Sequence, residues 1–190
     1  MIKYIPLLLL PVLVLMVMIR AAMLRRQGIK ALVFGVTHKT DYFLIPVVAL
    51  VFYALLAPVT GLPIPRILIA PLFETTVQYI LATVICSASL IWHGITLRTF
   101  GSSFRVGIDK TTTDKLITTG PFALSRNPIY AGFLAFFAGI LVAYPNIAVL
   151  FFLLFLAAII HRQVKREEIF LKDHYGLEYR TYCGRVRRYL

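Results

Sequence analysis

Apolar runs long enough to cross a lipid bilayer restrict what this chain can fold into. The hydrocarbon core of a bilayer is about 30 Å thick, and an α-helix of about 20 apolar residues crosses it. Such runs lie near residues 5–19, 42–59 and 77–97. Because a spanning segment must satisfy its own backbone hydrogen bonds, each run predicts a transmembrane helix.

Two shorter apolar runs follow, at residues 128–143 and 147–160. They are joined by Tyr144, Pro145 and Asn146, a turn sequence whose proline discourages one continuous helix. We therefore predict an antiparallel helical hairpin. Together the five runs indicate an all-α integral membrane protein of about five transmembrane helices, with residues 1–190 in a single membrane domain.

The composition supports a membrane protein, because 59% of the residues are hydrophobic, whereas soluble domains have roughly 45–50% apolar residues. The net charge is +12, from 20 basic and 8 acidic side chains. The basic residues lie between apolar runs and do not form one exposed stripe. We therefore expect anionic membrane lipids as the counter-charge and no nucleic acid partner.

The basic residues also predict an orientation. Five Lys or Arg lie in residues 20–41, five in 98–126 and eight in 162–190, whereas Lys3 and Arg66 lie on the other side. The positive-inside rule then predicts a multi-pass protein with its N-terminus outside and its C-terminus in the cytoplasm. The first run lacks a small-x-small cleavage site, so we expect it to remain as a mature helix.

Metal and nucleotide motifs do not appear in the sequence. The histidines, at positions 38, 93, 161 and 174, show no metal-ligand spacing, so no metal site is expected. Cys86 and Cys183 lie far apart in the predicted topology, and no disulfide is expected. The chain has no glycine-rich nucleotide motif, so any cofactor must be bound in another way.

Residues 98–127 form the longest polar stretch, which predicts either a functional cytoplasmic loop or a solvated connector. At its end, Arg126 and Asn127 precede Pro128, which suits the first turn of a helix. Tyr130 follows one turn into that helix. A helix N-terminus together with Arg126 favours an anion there. Alternatively, Arg126 reaches lipid phosphates and Tyr130 belongs to an interfacial aromatic belt.

Two adjacent carboxylates, Glu167 and Glu168, follow the hairpin in a basic tail. A helix that continues beyond the last run would carry Gln163 and Glu167 on one face. A cationic or hydroxyl-rich ligand would explain these carboxylates, and pairing with the neighbouring basic residues at 162, 165 and 166 is the alternative. Gly176 is predicted to end this helix. The tyrosines beyond it either stack on a purine or pack the tail onto the polar loop.

These residues resemble a family of integral-membrane methyltransferases that includes isoprenylcysteine carboxyl methyltransferases and phospholipid N-methyltransferases. The resemblance covers about residues 98–185. The matching segments are LITTGPF at 116–122, RNPIYAG at 126–132, EEIFL at 167–171, YG at 175–176 and YRTY at 179–182. Each segment alone is a weak signal, but five in order at matching spacings are a strong one.

The resemblance implies three N-terminal helices in residues 1–97 and a methyltransferase core in residues 98–190, whose loop and tail form a cytoplasmic cap that binds S-adenosyl-L-methionine. It implies Arg126 and Tyr130 as catalytic residues, and Arg126, Arg162 and Gln163 as substrate-binding residues. The cofactor-binding residues that it implies are Lys115, Leu116, Ile117, Gly120, Phe122, Asn127, Pro128, Ile129, Tyr130, Glu167 and Glu168.

The resemblance also implies a lipid or lipid-modified methyl acceptor. Asn127 stands where the isoprenylcysteine enzymes have His, and Gln163 stands where they have an Arg suited to the substrate carboxylate. Phospholipid enzymes that resemble this chain often carry Asn. A phospholipid headgroup amine, as in phosphatidylethanolamine, is therefore favoured over an isoprenylcysteine carboxyl. A sterol-type reductase that uses NADPH and a non-enzymatic lipid-binding protein are the further alternatives.

Overall fold

The computed structural model describes residues 2–26, 60–100 and 116–190, together with residues 49 and 53. These residues contain helices and turns and no β-strand, which confirms the all-α class. Short 3-10 turns lie at Ile2–Tyr4 and Gly120–Ala123. The α-helices are α1 (Ile5–Arg26), α2 (Arg66–Ile69), α3 (Thr76–Phe100), α4 (Pro128–Ala143), α5 (Ile147–Tyr175) and α6 (Leu177–Arg185).

Helices α1, α3 and α5 are long and apolar enough to cross a membrane, and α4 is a shorter apolar helix. They coincide with four of the five predicted runs, and α4 has the predicted bounds, residues 128–143. The run at residues 42–59 lies outside the described residues, as do Lys115 and residues 101–114 of the polar loop. The total of five transmembrane helices therefore stays a prediction.

The predicted helical hairpin is confirmed, and its ends are determined by local chemistry. Asn146 caps α5, because its side-chain oxygen accepts a hydrogen bond of 3.0 Å from the backbone N–H of Val149. At the other end Gly176 has a φ of +53°, a conformation that side chains with a Cβ rarely adopt. At 1.5 Å per residue, the 29 residues of α5 extend about 44 Å, so one end projects beyond the hydrocarbon core.

Helices α3 and α4 approach each other closely through glycines of α4. A Cβ atom on Gly132 would lie 2.6 Å from Cε1 of His93, and one on Gly139 would lie 2.7 Å from Sγ of Cys86. Small residues allow this approach, which is how membrane helices gain packing energy. Trp92 adds a hydrogen bond of 2.7 Å from its ring N–H to the carbonyl of Pro128. The start of α4 is thereby held against α3.

The contacts between helix ends give the relative directions of the spans. Leu24 of α1 and Leu97 of α3 lie in one buried cluster together with Ile129, near the start of α4. At the opposite end, the hydroxyl of Tyr144 donates a hydrogen bond of 2.6 Å to the carbonyl of Lys3. Helices α1 and α3 are therefore parallel, and α4 is antiparallel to both. The ends that carry Arg26, Phe100 and Pro128 lie on one side of the bundle.

The close approach at Gly139 predicts that a larger residue at this position destabilises the folded protein. Gly139→Ala places a methyl group against buried Cys86, and overpacking of this kind costs about 1–3 kcal/mol. We expect a lower midpoint of thermal unfolding in detergent. Gly184→Ala in α6 is the matched control, because a Cβ there meets no atom within 4 Å. Equal midpoints for the two variants would contradict this account of the α3–α4 contact.

Candidate active site

The entrance to α4 is formed by a 3-10 turn and a proline-initiated helix start. The turn Gly120–Ala123 begins with a glycine at a φ of +60°, and its Phe122 ring packs edge-on against Phe100 at 5.0 Å between centroids. Pro128 occupies the first turn of α4, directly after Asn127. We call residues 120–130 the α4 mouth. The sequence prediction for the start of this helix is confirmed.

The first carboxylate, Glu167, lies against the α4 mouth and accepts two hydrogen bonds on one oxygen. The hydroxyl of Tyr130 donates to its Oε1 at 2.7 Å, and Nε2 of Gln163 donates to the same atom at 2.9 Å. Neither bond ends on Oε2. Three of the residues that the sequence singled out are therefore in direct contact. The contact between Tyr130 and Glu167 joins residues 37 positions apart in the chain.

The second carboxylate, Glu168, is buried and neutralised by two arginines. Arg188 binds it with both ends of its guanidinium fork, Nε to Oε1 at 3.0 Å and Nη2 to Oε2 at 2.8 Å. Nη2 of Arg126 lies 3.2 Å from Oε1. The partners of Glu168 thus come from the α4 mouth and the C-terminus, not from the basic neighbours on α5. We call these three residues the Glu168 cluster.

The backbone of the C-terminal segment also binds the α4 mouth. The carbonyl of Arg187 accepts a hydrogen bond of 2.9 Å from the backbone N–H of Arg126. The carbonyl of Arg188 accepts one of 3.0 Å from the side-chain amide of Asn127 and one of 3.4 Å from the hydroxyl of Ser125. Sequence reasoning ended the site near residue 185 and missed Arg188. The only available signal was the excess of basic residues in the tail.

The tail tyrosines pack onto the turn before α4. Tyr179 and Tyr182 are buried, and the hydroxyl of Tyr182 donates a hydrogen bond of 2.6 Å to the carbonyl of Phe122. Burial raises the pKa of the Tyr182 phenol to about 12, although the nearby Arg126 opposes this shift. The phenol therefore keeps its proton at physiological pH and remains a donor. Of the two alternatives for Tyr182, this contact supports packing of the tail onto the loop.

The other residues predicted for the site differ in their burial and contacts. Leu116 and Ile117 are half-buried just before the turn, and Ile129 packs against the α1–α3 contact. Arg162 is exposed on α5. Arg126 also contacts the thiol of Cys183. Within the described parts of the chain, no group of three or more His, Cys, Asp or Glu side chains could hold a metal ion.

Together these contacts place two different carboxylate environments side by side. Glu168 is held by cations and serves as a structural anchor, whereas Glu167 is oriented by the neutral donors Tyr130 and Gln163. An oriented carboxylate beside a helix N-terminus can bind a ligand that carries hydroxyl or ammonium groups.

Similar proteins were found among curated sequences. Two probable protein-S-isoprenylcysteine O-methyltransferases, from Oryza sativa subsp. indica and subsp. japonica, are each 35% identical to this chain over 91 residues. The match covers 46% of this chain and 48% of each relative. The chain thus spans about half the length of the curated relatives it matches. No solved structure matches the chain significantly.

The family model described as phospholipid methyltransferase matches residues 75–178, which is more than half of the chain. The matched region contains α3, α4 and α5. It therefore includes the close α3–α4 contact, the α4 mouth and both carboxylates. This chain belongs to the phospholipid methyltransferase family.

Proposed function

We propose that this protein is a membrane methyltransferase that transfers a methyl group from S-adenosyl-L-methionine to a lipid or lipid-modified acceptor. The observation that carries the proposal is the oriented carboxylate of Glu167, which Tyr130 and Gln163 hold at the α4 mouth. Membership of the phospholipid methyltransferase family supports the same activity. When bound, S-adenosyl-L-methionine supplies an activated methyl group on a positively charged sulfur.

The residues at the α4 mouth fit the polar groups of this cofactor. S-adenosyl-L-methionine carries an ammonium, a carboxylate and two ribose hydroxyls. Glu167 suits the ammonium or a hydroxyl, because the hydrogen bonds from Tyr130 and Gln163 both end on Oε1 and leave the other oxygen to a ligand. Asn127 and Tyr130 would hold the methionine part. The half-buried side chains of Leu116 and Ile117, with Phe122, would line the adenosine.

The chain's contribution to methyl transfer is to bind, align and exclude water. A displacement at a methyl carbon needs the acceptor atom, the carbon and the leaving sulfur in line, and good alignment supplies much of the catalytic effect. The Glu168 cluster joins the α4 mouth to α5 and the tail, and it thereby fixes the position of Glu167 relative to Tyr130. Arg126 and Tyr130, both at the α4 mouth, would contact the acceptor headgroup beside the cofactor.

For the acceptor we propose a phospholipid headgroup amine, as in phosphatidylethanolamine. Gln163 is uncharged and already donates to Glu167, so it offers no cation to a substrate carboxylate. Arg126, which also binds Glu168, would contact the headgroup phosphate, and the exposed Arg162 on α5 is a second cation proposed to bind the substrate. The rice relatives, named as probable isoprenylcysteine methyltransferases, favour a prenylcysteine carboxyl as the second candidate.

Radiolabelled S-adenosyl-L-methionine tests the acceptor directly. The full chain in lipid nanodiscs is offered phosphatidylethanolamine and a farnesylcysteine analogue in parallel, and the products are separated by chromatography. We expect label in the phospholipid. Label only in the cysteine ester would mean that the acceptor is a prenylcysteine carboxyl and not a headgroup amine. Label in neither acceptor, together with no cofactor binding, would overturn the activity itself.

Glu167→Gln tests the cofactor-binding role of the oriented carboxylate. The substitution keeps the shape but removes the charge, and hydrogen bonds to charged groups contribute about 1.5–3 kcal/mol. We expect S-adenosylhomocysteine to bind at least about tenfold more weakly in isothermal titration. Glu178→Gln on the exposed face of α6 is the matched control and should keep the affinity of the unmodified chain. If both variants bind equally well, Glu167 does not contact the cofactor.

Arg188→Gln tests the Glu168 cluster. The variant leaves the buried carboxylate of Glu168 with Arg126 as its remaining cation, and a poorly compensated buried group costs about 1–3 kcal/mol. We expect a lower midpoint of thermal unfolding and weaker binding of S-adenosylhomocysteine.

The neighbouring Arg187 provides a matched control for this variant. Its side chain is exposed, and its contact with the α4 mouth is made by its backbone carbonyl. Arg187→Gln should therefore leave both the midpoint and the affinity unchanged. A similar effect of the two substitutions would mean that the general charge of the tail, and not the Glu168 cluster, matters.

A further inference from the structure

A line of exposed side chains runs along one face of α5. From Phe151 onward, exposed residues recur every three or four positions, which is the spacing of one face of an α-helix. The residues on this face are Phe151, Leu154, Ala158, Arg162, Lys165, Ile169 and Lys172. We call them the α5 stripe. Gln163 and Glu167, which contact each other at the α4 mouth, lie on a different face of the helix.

The α5 stripe is apolar in its first part and cationic in its second part. Phe151 and Leu154 belong to the membrane-spanning part of α5, where an exposed apolar side chain contacts lipid. Ile169 lies between Lys165 and Lys172 on the stripe and is 61% exposed, as is Leu154. Because the face is continuous, these residues indicate that the lipid-contacting surface extends to Ile169 and its two lysine neighbours.

The rise of the helix gives the depth of these residues in the bilayer. At 1.5 Å per residue, Lys165 lies about 27 Å along the axis from Ile147, the first residue of α5, and Ile169 lies about 33 Å from it. The hydrocarbon core is about 30 Å thick. With Ile147 at one boundary of the core, the opposite boundary falls between Lys165 and Ile169. That boundary is on the side of the α4 mouth, because Glu167 contacts Tyr130.

The two lysines of the α5 stripe carry exposed charges without an acidic partner among the described residues. In the described ranges of the chain, the ion pairs all belong to the Glu168 cluster. Asp173 follows Lys172 directly, but consecutive helical residues point about 100° apart, and no ion pair joins these two side chains. An anion from outside the chain can therefore bind both Lys165 and Lys172.

The lysines lie on either side of the level at which lipid headgroups begin. Lys172 lies about 10 Å beyond Lys165 along the axis. Helical side chains lean toward the N-terminus of the helix, so Lys172 extends back over Ile169. A lysine at the end of a spanning segment extends its ammonium group outward to the interface, which brings that of Lys165 to the same level. Both ammonium groups can then contact one phosphate.

We propose that the α5 stripe binds an anionic phospholipid in the leaflet beside the α4 mouth. Its phosphate lies between Lys165 and Lys172, over Ile169, and one acyl chain lies along Leu154 and Phe151. The attraction of lysines for a negatively charged membrane surface supports this choice of partner. A phosphatidylcholine with the same acyl chains should bind more weakly, because its choline cation offsets the charge of the phosphate. The proposal does not depend on methyl transfer, since neither lysine is assigned to the cofactor or the acceptor.

Native mass spectrometry of the full chain in detergent tests the preference for an anionic headgroup. Dioleoyl phosphatidylglycerol and dioleoyl phosphatidylcholine, which have the same acyl chains, are titrated separately. We expect an affinity at least about tenfold higher for phosphatidylglycerol, because no cation of its own offsets the charge-assisted contacts of its phosphate. Equal affinities would overturn the proposal, and this comparison requires no variant.

Two double variants with the same loss of charge locate the binding surface. Lys165→Gln with Lys172→Gln removes the proposed phosphate contacts and should weaken phosphatidylglycerol binding at least about tenfold. Arg180→Gln with Arg185→Gln removes two exposed cations from α6 and should leave the affinity unchanged. Equal affinities of the two double variants would overturn the location on the stripe. All the substituted side chains are exposed, and circular dichroism verifies that each variant is folded.

Tryptophan fluorescence in nanodiscs tests the depth of the stripe independently. Ile169→Trp and Leu154→Trp each add a fluorophore, and the signal of Trp92, the single tryptophan of the chain, is subtracted with the unmodified protein. We expect phospholipids brominated near the headgroup to quench the fluorophore at position 169, and phospholipids brominated deeper to quench that at position 154. If aqueous acrylamide quenches the fluorophore at position 169 and neither lipid does, this face lies in water and the proposal is wrong.

Discussion

The geometry of the candidate site depends on the buried carboxylate of Glu168. A charge removed from water is strongly destabilising unless it is paired and hydrogen-bonded, and here two arginines supply three close contacts. Arg126 comes from the α4 mouth and Arg188 from the C-terminus, whereas Glu168 belongs to α5. The requirement to neutralise one side chain therefore brings three distant segments of the chain together.

The neighbouring residue, Glu167, gains its properties from this arrangement. Consecutive residues of a helix point about 100° apart, so one carboxylate can be an anchor while the next faces a ligand. Tyr130 and Gln163 orient Glu167 without neutralising it. This division explains why two adjacent carboxylates occur in a strongly basic tail. It also gives the proposed cofactor a polar contact that is already oriented before binding.

The helices that support this site rely on close packing. Lipid tails are as apolar as the side chains, so helices in a bilayer gain little from the hydrophobic effect and associate through van der Waals contact and hydrogen bonds. Gly132 and Gly139 let α4 approach α3, and the Trp92 bond to Pro128 adds a polar contact at the mouth. The candidate site is therefore positioned by a closely packed pair of helices.

The local features of the fold can be read from the amino-acid sequence alone: the apolar runs of four helices, the start of α4 at Pro128, the turn at Pro145 and the end of α5 at Gly176. These follow from hydropathy and backbone preferences, which act over a few residues. The contact of Gln163 with Glu167 is also predictable, because residues four apart share a helix face. The ordered motifs indicate the family as well, because their residue types and spacings are properties of the sequence.

The choice of cations that pair with Glu168 is instead a property of the folded chain. Residues 162–190 contain eight basic side chains, and composition alone does not show which of them pairs with Glu168. Arg188 lies 20 positions from Glu168, and its backbone reaches Asn127 across 61 positions. Pairing at such separations depends on how helices pack in three dimensions, which no local pattern in the chain encodes.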